Sequence, residues 1–138
     1  MPNKQTILFL LFLVILATSN SATQAADAPS NKPTNHVGTI AVPDGLSMEG
    51  TQKAILKAAV GRRWEIKEKT VGKVVIQLVH RGYDSKLTFL YSKNEVKVFS
   101  DSWTIKKSGA KKKKKDPEGW IENLKKDLPV FMNRALYD

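Results

Sequence analysis

The stretch WEIKEKTVGKVVIQLVHRGYDSKLTFLYSKNEVKVFS, residues 64–100, decides the fold. Its apolar residues recur at every second position, the period of an extended chain whose side chains point alternately to two faces. Trp64, Ile66 and Glu68 alternate with Glu65 and Lys67. Val74, Ile76, Leu78 and His80 face one way, and Val75, Gln77, Val79 and Arg81 the other. Leu87, Phe89 and Tyr91 alternate with Thr88 and Leu90, and Val96, Val98 and Ser100 oppose Lys97 and Phe99. Turn residues interrupt the pattern at Val71-Gly72-Lys73, Gly82-Tyr83-Asp84 and Ser92-Lys93-Asn94. Connections this short join antiparallel neighbours. The stretch predicts a meander of four strands, with Trp103-Thr104-Ile105 either lengthening the fourth or opening a fifth.

On both sides of the meander the period changes to that of a helix. Residues 47–60 open on Ser47, a suitable N-cap, with Glu49 in the first turn where the helix dipole favours a negative charge. Met48, Ile55, Leu56, Ala59 and Val60 form the expected apolar stripe, and Gly61 the expected stop. A second helix is expected from Asp116-Pro117-Glu118, with Asp116 as cap and Pro117 in the first turn. Trp120, Ile121, Leu124, Leu128, Phe131 and Ala135 or Leu136 share one face. Pro129 falls inside this pattern and is expected to kink or divide the helix. The reading is α+β: helix, four-stranded antiparallel meander, C-terminal helix, with both helices on one sheet face. The expected strand core is Trp64, Ile66, Val74, Ile76, Leu78, Leu87, Phe89, Val96 and Val98. Val75, Val79, Leu90 and Phe99 make the other face more apolar than a solvated face requires. The N-terminal arm, a second copy or another partner are the candidates to cover it.

Towards the N-terminus, Lys4 precedes the apolar run of residues 7–17, and small and polar residues follow from Thr18. A basic start, a short apolar centre and the small pair Thr23 and Ala25 make a secretory signal peptide over residues 1–25, cleaved after Ala25. The run is too short to span a bilayer, which needs about 20 apolar residues. No later stretch is long and apolar enough to do so. Cleavage removes Lys4 and takes the net charge from +10 to +9. Residues 26–46, rich in Pro, Ser, Asn and Gly, read as a flexible arm, with residues 37–42 as an alternative edge strand. Residues 47–138 form the single domain. The chain has no cysteine, so packing alone must hold it together.

No constellation for catalysis stands out. His36 falls in the arm, and His80 ends a strand, where a structural role is expected. No glycine-rich phosphate loop and no nucleophile elbow occur, and the carboxylates are scattered among lysines. No catalytic residue, metal site or cofactor is expected. The sharpest feature is a loop at residues 106–115 with seven lysines in ten residues: Lys106, Lys107, Lys111, Lys112, Lys113, Lys114 and Lys115. A run of like charge stays solvated, and it attracts anionic lipid, lipopolysaccharide or an acidic polymer. Trp103 flanks it as the one tryptophan expected to be exposed. Export makes nucleic acid an unexpected partner.

The segment Lys57-Ala-Ala-Val-Gly-Arg-Arg-Trp64, the meander with Gly82 and Asp101-Ser102 at its end, and Trp120-Ile-Glu-Asn-Leu124 carry a resemblance over residues 51–136. The chain resembles a group of small bacterial envelope proteins, often lipoproteins, with no assigned function. It departs from them in lacking a lipid-bearing cysteine and in its lysine loop. The resemblance implies an α+β fold and an envelope location, and no activity. The expectation is therefore a non-catalytic secreted or periplasmic module that binds an anionic envelope component. The alternative is an oligomerising accessory or inhibitor protein acting through the apolar second sheet face.

Overall fold

The computed structural model describes residues 32–138, so the expected signal peptide and its cleavage site lie outside the described residues. The meander is present as β2 (Glu65–Thr70), β3 (Lys73–His80), β4 (Tyr83–Tyr91) and β5 (Glu95–Ile105). All pairings are antiparallel. Val74 lies opposite Phe89 and Ile76 opposite Leu87, while Leu87 and Phe89 meet Ser100 and Val98. Every second side chain of three adjacent strands thus enters one core. The β3–β4 turn sits earlier than its glycine signalled, because Tyr83 already pairs with His80. Its two central residues, Arg81 (φ 47°) and Gly82 (φ 81°), both have positive φ, as a hairpin turn matched to strand twist requires.

The sheet has six strands rather than four. Part of the expected arm is β1 (His36–Ala41), an edge strand pairing with residues 95–99 of β5. Gly38 admits it: the stem of Lys125 passes 2.7 Å from where a Cβ would stand. The Lys125 ammonium donates to the Val37 carbonyl at 3.1 Å. The expected lysine loop is likewise partly a strand. Residues 106–110 turn the chain, with Gly109 at φ 91°, and β6 (Lys111–Lys114) pairs with Trp103–Ile105 of β5. Strand β5 is long enough for β1 and β6 to share its free edge end to end. Like charges did not forbid the strand, because alternate side chains point to opposite faces and those on one face stand roughly 7 Å apart.

Helix α1 (Met48–Gly61) begins as expected, the Ser47 hydroxyl accepting from the Gly50 N–H at 3.0 Å. Its buried face is Thr51, Ala54, Ile55, Ala58 and Ala59, rotated from the expected stripe, and Val60 is 60% exposed. Small alanines face inward because they let the helix lie close to its neighbours. The stop is not Gly61. Arg63 N–H reaches the Val60 carbonyl and Trp64 N–H the Ala59 carbonyl, both at 3.0 Å. That double bond pattern closes a helix with a left-handed residue after its cap, and here that residue is Arg63 (φ 67°).

Helix α2 (Glu118–Ala135) buries Ile121, Leu124, Leu128 and Met132. Pro129 does not divide it, since side chains before and after the proline dock in the same core cluster. Nor is Asp116 its cap: Pro117 holds that position without a side-chain hydrogen bond. The Asp116 carboxylate instead accepts from Ser100 at 2.7 Å and from Asn35 at 3.2 Å. Ser100 joins Ser102, and Ser102 joins Ser85, each at 2.7 Å. This buried hydroxyl chain ties the start of β1 to the end of β6.

The expected strand core is buried or partly buried in one cluster with both helices. On the other sheet face Val75 is buried and Leu90 and Phe99 are half-buried. The His36 ring lies 5.3 Å from that of Phe99, and Val79, 57% exposed, stands apart. Lys73, Lys86 and Lys97 break up this face.

Candidate anion-binding surface

The lysine-rich hairpin places its charges on the sheet end furthest from the β2–β3 turn. Trp103, half-buried on β5, lies opposite Lys114. The Lys111 and Lys114 ammoniums stand 5.2 and 5.5 Å from the centre of its ring, a distance at which the ring face attracts a cation. The indole N–H donates to Asp101 at 3.0 Å, and Lys114 approaches the same carboxylate at 3.8 Å. Asp101, Trp103, Lys111 and Lys114 therefore form one fixed group.

Lys113 pairs with Thr104 and so points to the opposite face from Lys114. Lys106 and Lys107 begin the turn, and Lys112 and Lys115 flank Lys113 and Lys114; all four are exposed. Among the described residues only Lys114 of the seven has a carboxylate within ion-pair distance. The structure thus gathers two lysines over Trp103 and displays the rest as a fringe along an edge strand. A strand edge lined with lysine also resists pairing with another sheet, since like charges repel and the side chains stay hydrated.

A second basic group, outside the residues singled out from sequence, lies next to this edge. The Arg81-Gly82 turn is joined to the end of β5 by the Ile105 N–H, which donates to the Gly82 carbonyl at 2.9 Å. Arg81, His80, Arg62 and Arg63 rim a cleft of about 330 Å³ whose wall includes Trp64, Leu78 and Trp120. Trp64 and Trp120 meet edge to face at 6.2 Å, and Trp120 also lies 6.0 Å from the His80 ring and 5.6 Å from Tyr83. Both tryptophans belong to the core as expected, but Trp120 is only half-buried and turns one side to the cleft. His80 is an exposed strand-end residue.

Arg62 is held by Asp127 in a two-pronged contact, Nε–Oδ2 2.8 Å and Nη2–Oδ1 3.3 Å. The hydrogen bond first, and the opposite charge second, raise its already high pKa. Among the described residues Arg63 and Arg81 have no carboxylate within ion-pair distance, although Glu118 lines an adjoining cleft with Arg81. No sequence signal pointed to the two arginines. Both occupy positive-φ positions, where glycine or asparagine is the usual residue. Recognising those positions needed the exact helix end and hairpin register.

Among the described residues no group of three His, Cys, Asp or Glu side chains is placed to hold a metal ion, and no helix is long and apolar enough to cross a membrane. Neither the protein-family models nor the curated proteins contain a match to this chain.

Proposed function

We propose that this protein is an exported, non-catalytic module that binds an anionic component of the cell envelope through β6 and Trp103. The carrying observation is the pair of ammoniums seated over Trp103 beside a fringe of lysines with no carboxylate within ion-pair distance among the described residues. An amphipathic indole at the edge of a cationic strand suits a boundary between headgroups and water. Near an anionic leaflet each lysine adds about 1 kcal/mol, an attraction that added salt weakens. The apolar run and small residues at the N-terminus support export, as does the resemblance to envelope proteins.

Co-sedimentation with vesicles tests this. Vesicles of phosphatidylglycerol and phosphatidylcholine should retain the protein at low salt and release it as salt rises, and vesicles of phosphatidylcholine alone should not retain it. Replacing Lys111, Lys112, Lys113, Lys114 and Lys115 by Gln should weaken retention at least about 100-fold, from five contacts of roughly 1 kcal/mol each. Unchanged retention by that variant would overturn the reading.

A further inference from the structure

We propose that the cleft between α1, the β3–β4 turn and α2 is a separate binding site for a small aromatic anion, one or two fused rings bearing a phosphate, sulfate or carboxylate. Three observations converge on it. Its wall is aromatic and apolar: half-buried Trp120 turns one side to the opening, with Leu78 beside it and the buried Trp64 packed edge to face behind. Its rim is cationic: Arg63 and Arg81 have no carboxylate within ion-pair distance among the described residues, and Glu118 lies in the adjoining cleft beyond Arg81. Its volume, about 330 Å³, sits at the lower end of small-ligand sites.

The backbone points to the same opening. Arg63 and Arg81 are the only non-glycine residues with positive φ among the described residues. They occupy two unrelated turns, a helix stop and a hairpin, and both line this one cleft. Side chains are disfavoured in that conformation, and strain of this kind gathers where a side chain serves a site. Each turn would form more readily with Gly or Asn. Neither arginine is needed to close its turn, yet both turns place an arginine on the lining of the same opening. Guanidinium groups bind planar oxyanions in forked geometry and also stack on aromatic rings. The ligand's ring would lie against Trp120 and its oxyanion between the two arginines.

The test is an NMR titration of the ¹⁵N-labelled protein with 1-naphthyl phosphate, read at the indole N–H signals. Trp64 and Trp120 are expected to shift and saturate together, while Trp103 on the lysine hairpin moves little. Inorganic phosphate alone and 1-naphthol alone should each bind at least about tenfold more weakly, since each supplies half of the recognised chemistry. R63G/R81N should weaken binding at least about tenfold and yet unfold at the same or a higher temperature, because it relieves two positive-φ positions. R63Q/R81Q, which keeps side-chain length without charge, should lose binding equally. Absence of a saturating shift would overturn the proposal, as would full binding by both double variants. Loss of binding in K111Q/K114Q with retention in R63Q/R81Q would place the anion on β6 and also overturn it.

Discussion

Thr51 and Asp116 show how much of this protein turns on single polar atoms. Thr51 is fully buried in α1, and its hydroxyl has no hydrogen-bond partner among the described residues. A buried, unpaired hydroxyl costs about 1–3 kcal/mol, and valine has nearly the same shape. Thr51→Val should therefore stabilise the fold by about 1 kcal/mol, read as a higher denaturant midpoint with an unchanged slope. Asp116 is the opposite case. Its carboxylate accepts hydrogen bonds from Ser100 and Asn35 and anchors the chain of buried serines. Asp116→Ala leaves one hydroxyl of the serine chain without an acceptor and should lower stability by about 1–3 kcal/mol in the same assay. The pattern Asp-Pro-Glu reads as a helix start, and the helix does begin there. What the pattern does not contain is the competing acceptor demand of Ser100 across the sheet, which draws the carboxylate away from the helix end.

At the scale of elements, α2 and the lysine hairpin make opposite points about local rules. Pro129 breaks a local rule inside an 18-residue helix. Its missing N–H leaves the Lys125 carbonyl without a helical donor, and its ring crowds the preceding turn. The apolar stripe on either side outweighs that penalty. Pro129→Ala should raise stability, by up to about 3 kcal/mol less the entropy that proline removes from the unfolded chain. An unchanged or lower thermal midpoint would show that the proline conformation is needed. In the hairpin, a run of like charges obeys a tertiary instruction instead. Residues 106–110 return the chain alongside β5, and Gly109 takes a φ of 91° that a side chain resists. Gly109→Ala should cost about 1 kcal/mol and loosen β6 before the rest of the sheet. The amide signals of Lys111–Lys114 would report this by faster hydrogen exchange.

For the whole molecule, stability and charge are arranged unequally. Strand β4 lies between β3 and β5 and carries Leu87 and Phe89 in the core. Strand β6 is four residues long, fully exposed and paired on one side only. Hydrogen exchange should accordingly be slowest in β4 and fastest in β6, since local opening follows burial and contact density. Exchange of β6 as slow as that of β4 would mean that something else covers the lysine edge. The net charge of +10 is also directional. The lysine hairpin and the Arg81 turn lie at one end of the sheet, joined through the Ile105–Gly82 hydrogen bond. An anion approaching that end meets both basic groups, whereas Lys73, Lys86 and Lys97 on the open face are interspersed with Glu95, Asp84 and Asp101.

Alternation in residues 64–100 was enough to establish the meander, its core face and the α+β class, because a period of 2 reports directly which side chains share a face. The positions of the two helices were readable, since apolar spacing is local, but the inward face of α1 and the caps at Gly61 and Asp116 were not. The lysine run was legible as a basic surface but not as a strand, and the Val37–Val42 segment only as an alternative. Edge strands depend on a free partner edge, and that edge exists only because β5 is longer than the strands it pairs with. The arginine cleft was hidden for a related reason. It joins a helix stop, a hairpin turn and a second helix that are distant in sequence, and long-range packing alone brings them to one opening.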